Sequence, residues 1–69
     1  MRDRMAKFKI GDKVRVRLDS PSPYRGRTGV VHEELSGDPS GFRYMVKFEL
    51  RGLAAVNRFA EKDLEAMSG

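Results

Sequence analysis

The stretch Lys13-Val14-Arg15-Val16-Arg17-Leu18 indicates the fold class most directly. Its residues alternate strictly between basic and apolar, so the three apolar side chains share one face of an extended chain and the three basic ones share the other. A strand with one apolar and one charged face packs on a core with the first and meets solvent with the second. The stretch therefore predicts a half-buried β-strand.

The same period of two recurs downstream. Residues 28–35 predict a second strand, with Gly29 marking a bulge or bend. Residues 42–50 alternate again and place Phe42, Tyr44, Val46, Phe48 and Leu50 on one face. Between these segments lie a loop with two prolines, residues 20–26, and a turn-rich stretch, residues 36–41.

The end of the chain is less regular. Residues 53–59 contain two alanines, which favour helix, but the preceding Gly52 and the short length favour a strand. Residues 60–63 predict one helical or 3₁₀ turn, and residues 64–67 a last short strand. Five short strands without a long helix predict an all-β domain curled into a small barrel, which also removes exposed sheet edges. The predicted core is Val14, Val16, Val30, Tyr44, Val46, Phe48, Phe59 and Leu64.

Composition limits the class of protein. A chain of 69 residues has room for one small domain, which we place at residues 8–67 after a flexible N-terminus at 1–7. The absence of cysteine excludes disulfides and thiolate chemistry and fits a cytoplasmic location. No apolar run approaches the roughly 20 residues of a membrane helix, and the charged start lacks the apolar stretch of a signal peptide.

Charge is distributed unevenly along the chain, whose net charge is +4. Residues 1–32 contain nine Lys and Arg against three acidic residues, whereas residues 33–69 contain five against seven. A positive half can attract an anionic partner, either nucleic acid or the acidic face of a protein. Ordinary surface charge that maintains solubility is the alternative interpretation.

The sequence predicts no catalytic residue, metal site or cofactor, and hence no enzyme. His32 is followed by Glu33 and Glu34, but no activated nucleophile stands beside it. Consecutive carboxylates point to opposite faces of a strand, so they do not form a catalytic pair. One histidine with scattered carboxylates also lacks the three or four ligands of a metal site.

Binding is the better-supported interpretation. If the first and third strands curl toward each other, the basic residues on their exposed faces share one region. An aromatic residue among the bases of the proline loop could stack on nucleobases, or it could instead pack over the barrel mouth. The predicted binding surface consists of Lys13, Arg15, Arg17, Tyr24, Arg25, Arg27, Arg43 and Lys47.

Two segments carry a resemblance to a known family. Residues 8–17, Phe-Lys-Ile-Gly-Asp-Lys-Val-Arg-Val-Arg, and residues 24–31, Tyr-Arg-Gly-Arg-Thr-Gly-Val-Val, resemble the C-terminal barrel of the nitrile hydratase β subunit. Residues 44–49, with Asn57-Arg-Phe-Ala and Asp63-Leu-Glu, are similar to photosystem I reaction-centre subunit IV and the ferredoxin–thioredoxin reductase variable chain. The resemblance spans residues 8–66 and implies an SH3-like barrel that serves as an accessory or docking part of a larger complex.

Departures from these families restrict what the resemblance implies. The loop 19–24 is shorter than in nitrile hydratase and lacks its His-Thr-Arg segment, and residues 52–56 lack its tryptophan, so no catalytic contact is carried over. The spacing Gly11-Asp-Lys-Val followed by Gly26-Arg-Thr-Gly-Val-Val also resembles the KOW module, which binds nucleic acid or protein. Plasmid-type dihydrofolate reductases begin similarly, but residues 55–59 lack their Val-Gln-Ile-Tyr segment.

The resulting expectation is a small non-catalytic accessory protein that docks on a protein partner. The alternatives are a KOW-like nucleic-acid-binding module and a subunit of an oligomeric enzyme, because fold alone does not define function. The sequence predicts neither a membrane nor a small-molecule ligand, and it leaves the oligomeric state open.

Overall fold

The computed structural model describes residues 8–36 and 39–67, so the predicted flexible segment 1–7 lies outside the described residues. Five strands and one 3₁₀ turn before the last strand confirm the all-β prediction. They are β1 (Lys13–Val16), β2 (Thr28–Glu34), β3 (Tyr44–Leu50), β4 (Leu53–Phe59), the 3₁₀ turn Glu61–Asp63 and β5 (Leu64–Ala66).

All five strands form one antiparallel sheet in the order β4-β3-β2-β1-β5. Strands β1 to β4 pair with their neighbours in sequence, and the 3₁₀ turn brings β5 back beside β1, with Leu64 opposite Val16. The prediction of a strand at residues 53–59 is confirmed, since all seven residues of β4 pair with β3.

Four of the predicted strands are longer than the observed ones, by one residue in β2 and β5 and by two in β1 and β3. We expected the first to reach Leu18, but β1 ends at Val16 and Leu18 is 67% exposed. The chain turns there, and the Ser20 N–H donates to the Arg17 carbonyl at 3.0 Å. Phe42 likewise precedes β3 and is 38% exposed, so it does not join the inward-facing row that the alternation predicted.

The predicted core position of Val30 is wrong. Val30 is 40% exposed, whereas its neighbour Val31 is only 1% exposed. Adjacent strand residues face opposite sides of a sheet, so only one of the two valines can point inward. The strand register decides which one: Val31 lies opposite the buried Val46, and Val30 lies opposite the exposed Lys47.

Gly29 is not the site of the bulge that the sequence predicted. The register of β2 against β3 shifts between Val31 and Glu33, while Gly29 pairs regularly with Val14. The reason for glycine is close packing. A Cβ atom at this position would lie 2.7 Å from the Lys47 carbonyl oxygen, much closer than real Cβ contacts allow.

The core contains the other seven predicted residues together with Val31 and Phe8, which the predicted core did not include. The Phe8 N–H donates to the Tyr44 hydroxyl at 3.1 Å, and the two rings meet edge-on with 5.3 Å between centroids. This contact holds the segment before β1 against the sheet. The buried hydrophobic residues are Phe8, Val14, Val16, Val31, Tyr44, Val46, Phe48, Phe59 and Leu64.

The β3–β4 hairpin extends beyond this core. Its two-residue turn, Arg51-Gly52, has φ values of 55° and 79°, the positive values that a type I′ turn requires. The inward face of β4 is buried at Phe59, but Leu53 on the same face is 72% exposed. The half of the hairpin nearest the turn therefore presents apolar side chains to solvent.

Candidate binding surface

The basic face of β1 is largely neutralised by acidic neighbours. Arg15 lies opposite Glu65 of β5, and its Nε donates to Oε2 of that carboxylate at 2.7 Å. Arg17 follows the strand and donates from Nε and Nη2 to the two carboxylate oxygens of Asp19 at 3.1 and 3.2 Å. Two of the three predicted β1 cations are therefore engaged in ion pairs within the domain.

The Arg17–Asp19 pair affects both ionisation equilibria. The hydrogen bond from Arg17, aided by its positive charge, lowers the pKa of the Asp19 carboxyl below its usual value. The same hydrogen bond, together with the negative charge of Asp19, raises the pKa of Arg17. Both side chains are exposed, so this pair stabilises the fold little.

Lys13 and Lys47 are the predicted cations that the sheet brings together on one exposed face. Lys13 pairs with Val30, Val30 pairs with Lys47, and Lys47 pairs with Val56. Directly paired residues project to the same side of a sheet, about 5 Å apart from strand to strand. We call the row Lys13–Val30–Lys47–Val56 the outer patch.

The outer patch combines charge with exposed apolar area. Val30 and Val56 are 40% and 42% exposed, and both lysines are exposed. A shallow groove beside Val30 is bordered by both lysines and by Glu49. The two lysines were among the predicted binding residues, whereas the two valines were not. The Val30-Val31 pair was the available signal, since one of two consecutive valines in a strand must face outward.

Tyr24 does not lie on the outer patch. Its ring is stacked on Phe48 with 4.8 Å between centroids and 10° between planes, and it meets Phe59 edge-on at 6.2 Å. Because Phe48 and Phe59 belong to the core, Tyr24 covers the inner side of the sheet. This arrangement corresponds to the alternative in which Tyr24 packs over the domain rather than standing free among bases.

The remaining predicted cations occupy two other places. Arg25 and Arg27 are exposed in the proline loop, where their backbone N–H groups donate to Ser22 and Tyr24 carbonyls. Arg43 is half-buried before β3, and its Nε is buried without a hydrogen-bond partner among the described residues. The eight predicted residues therefore do not form one continuous surface.

The described part of the chain holds no group of three or more His, Asp or Glu side chains placed to bind a metal ion. None of the residues in 8–36 and 39–67 belongs to a helix with the length and apolar character needed to cross a bilayer. His32, the single histidine of the sequence, is exposed on β2.

Together these features define a small all-β domain with an exposed patch of lysine and valine on one sheet face. No family model, curated protein or solved structure matches the chain.

Proposed function

We propose that this chain is a non-catalytic docking module that binds a protein partner through the outer patch. The observation that carries the proposal is the row of two lysines and two exposed valines across four adjacent strands. Valine side chains supply apolar area to bury against a partner, and flanking lysines supply complementarity to acidic residues at its rim. A hydrogen-bonded sheet holds the row rigid, so little side-chain ordering beyond the lysines is needed on binding.

The arrangement of the cations favours protein over nucleic acid. Arg15 and Arg17 would have to leave Glu65 and Asp19 before contacting phosphates. One face of the Tyr24 ring is covered by Phe48, so that face is closed to a nucleobase. The resemblance to accessory SH3-like barrels supports the same class of function, and we propose that fold family for the sheet.

A KOW-like nucleic-acid-binding module is the second candidate. It is favoured by Arg25 and Arg27, which are both exposed at the end of the proline loop and could contact phosphates from outside the sheet. This mode predicts affinity that falls steeply with salt, because each neutralised phosphate releases counterions.

A charge-reversal experiment separates the two candidates. The tagged wild-type chain is used to capture partners, in parallel with the double variant Lys13→Glu/Lys47→Glu. A matched control, Lys9→Glu/Lys62→Glu, changes the net charge equally at two exposed positions outside the patch. We expect one protein that the wild type and the control retain and the patch variant loses.

Fluorescence anisotropy with labelled DNA and RNA completes the test. Titrations at about 50 and 200 mM salt would reveal phosphate neutralisation as a drop in affinity of a hundredfold or more. Such binding, weakened by Arg25→Glu and unchanged by the patch variant, would replace the docking proposal with the KOW-like one. Equal capture by the patch variant and its control would also contradict docking through the outer patch.

A further inference from the structure

The free edge of β4 is the least protected part of the sheet. β4 is the terminal strand, is seven residues long and pairs only with β3 among the described strands. Its sequence, Leu-Ala-Ala-Val-Asn-Arg-Phe, contains no proline, lysine or acidic residue. The opposite edge, β5, is three residues long and carries Glu65. Sheets normally protect long edges with charge, proline or a bulge, because an open edge pairs readily with another strand.

The hairpin geometry shows which backbone N–H and C=O groups of β4 point away from β3. A two-residue hairpin turn is flanked by a hydrogen-bonded pair, here Leu50 and Leu53, and hydrogen-bonded pairs then alternate with non-bonded ones. The N–H and C=O groups of Ala54, Val56 and Arg58 therefore point away from β3. In agreement, the Arg58 N–H donates to the Asn57 side-chain oxygen at 2.9 Å.

We propose that β4 pairs antiparallel with β4 of a second copy of this chain, with Val56 on the two-fold axis. In this register Ala54 lies opposite Arg58 of the second copy, and the Arg58 N–H exchanges its bond to the Asn57 side-chain oxygen for one to the Ala54 carbonyl. The product is a symmetric dimer with a continuous ten-stranded sheet. An interface in which the same strand meets itself is the type that a two-fold axis generates.

Charge complementarity selects the second copy and this register. Arg58 would face the small Ala54 of the second copy, and Glu49 lies directly beyond that alanine on β3. Two strand spacings, about 10 Å, separate the Cα atoms of Arg58 and Glu49, within joint reach of their extended side chains. Symmetry forms the Arg58–Glu49 ion pair twice. Moving Arg58 opposite Val56 would instead place it beside Lys47 of the second copy, a repulsive contact.

The apolar surface fits the same arrangement. Leu53, 72% exposed, would lie opposite Phe59 of the second copy. Phe59 borders a groove lined also by Pro21, Pro23 and the partly exposed Phe42. Burying Leu53 against this groove would remove apolar surface that the monomer leaves in water.

Dimer formation would also enlarge the outer patch. Val56 ends the patch row on one copy, and on the two-fold axis it would touch its own symmetry mate. The rows Lys13–Val30–Lys47–Val56 of both copies would then be continuous across the dimer. Self-association requires no docking partner, so its test is independent of the proposed function.

Sedimentation equilibrium of the purified chain, from about 1 to 500 µM, measures the dimer dissociation constant directly. We expect Arg58→Glu and Glu49→Arg each to raise this constant by about tenfold or more. The double variant restores the ion pair with its signs exchanged and should return the constant to within about threefold of wild type. Circular dichroism of each variant would verify that the monomer fold is retained.

A backbone variant provides the second measurement. Val56→Pro removes an N–H that points away from β3, so an edge strand tolerates it while the approach of another strand is blocked. We expect Val56→Pro to remain folded and monomeric, and Val56→Thr to dimerise like wild type. A chain that is monomeric at every concentration would overturn the proposal. So would a dimer insensitive to Val56→Pro or to both charge reversals, or an edge occupied only by an added peptide.

Discussion

The ring of Tyr24 lies parallel to the ring of Phe48, with 4.8 Å between their centroids. The contact joins the proline loop to β3, and the loop is further ordered by the Ser20 and Ser22 hydroxyls, which accept the N–H groups of Ser22 and Tyr24. Tyr24 therefore contributes to the fold, whatever it does in binding.

We expect Tyr24→Ala to lower the free energy of unfolding by about 2–3 kcal/mol, less than the loss of a fully buried aromatic, because the ring is only partly buried. Tyr24→Phe keeps the stacked ring and should cost less than about 1 kcal/mol. Urea denaturation monitored by circular dichroism measures both. If Tyr24→Ala unfolded at the wild-type midpoint, the ring contact would have no structural role.

Gly29→Ala should be destabilising by about 2–3 kcal/mol, because the added methyl group forces β2 away from β3 or displaces buried side chains. Its Cβ would lie 2.7 Å from the Lys47 carbonyl oxygen and 2.9 Å from Phe48 Cδ2. Thr28→Ala, at the exposed neighbouring position, is the control and should change stability by less than about 0.5 kcal/mol. Thermal and urea unfolding would compare the two, and equal stability would contradict the close approach.

The two valines of β2 provide a matched pair. Val31→Ala removes methyl groups from a fully packed position and should cost about 2 kcal/mol, whereas Val30→Ala should cost less than about 0.5 kcal/mol. Both variants make the same chemical change one residue apart. The difference between their losses of unfolding free energy therefore shows which of the two side chains faces the core. A larger loss for Val30→Ala in denaturant unfolding would mean that the register is shifted by one residue.

Asp19 should titrate below the usual range of an aspartate, because its ionised form accepts hydrogen bonds from Arg17. The pKa of the folded state is the lower one, so the contribution of the pair to stability is present above the unfolded-state pKa of about 3.9 and is lost as pH falls through the folded-state value. NMR titration of the carboxyl measures the pKa. Arg17→Gln, or high salt, should move it back toward the usual value, and no movement would exclude Arg17 as the cause.

The local sequence pattern was sufficient to predict the strands and the 3₁₀ turn, apart from their exact ends. Alternation at residues 13–18 and 42–50, with turn residues between, predicted strands close to β1 and β3, and the single turn after residue 59 was placed correctly. These features depend on neighbours within a few residues. The ends of the strands were less predictable, because the alternation of apolar and polar residues includes Leu18 and Phe42, which lie outside the paired segments.

The candidate binding surface was predicted only in part. Arg15 and Glu65 are fifty residues apart in sequence, and only the antiparallel pairing of β1 with β5 makes them neighbours. The same holds for Lys13 and Lys47, which meet across Val30. Charge counted along the chain does not distinguish a cation that is paired from one that is exposed alone.

The sequence by itself determined that the domain is all-β, since a period of two along the chain is a property of the extended backbone and needs no partner. The tertiary structure alone decided that Val31 rather than Val30 is buried, that Tyr24 packs on Phe48, and that β4 lies at the edge of the sheet formed by the described strands. Each of these depends on strand register and order, which are set by contacts between residues distant in sequence.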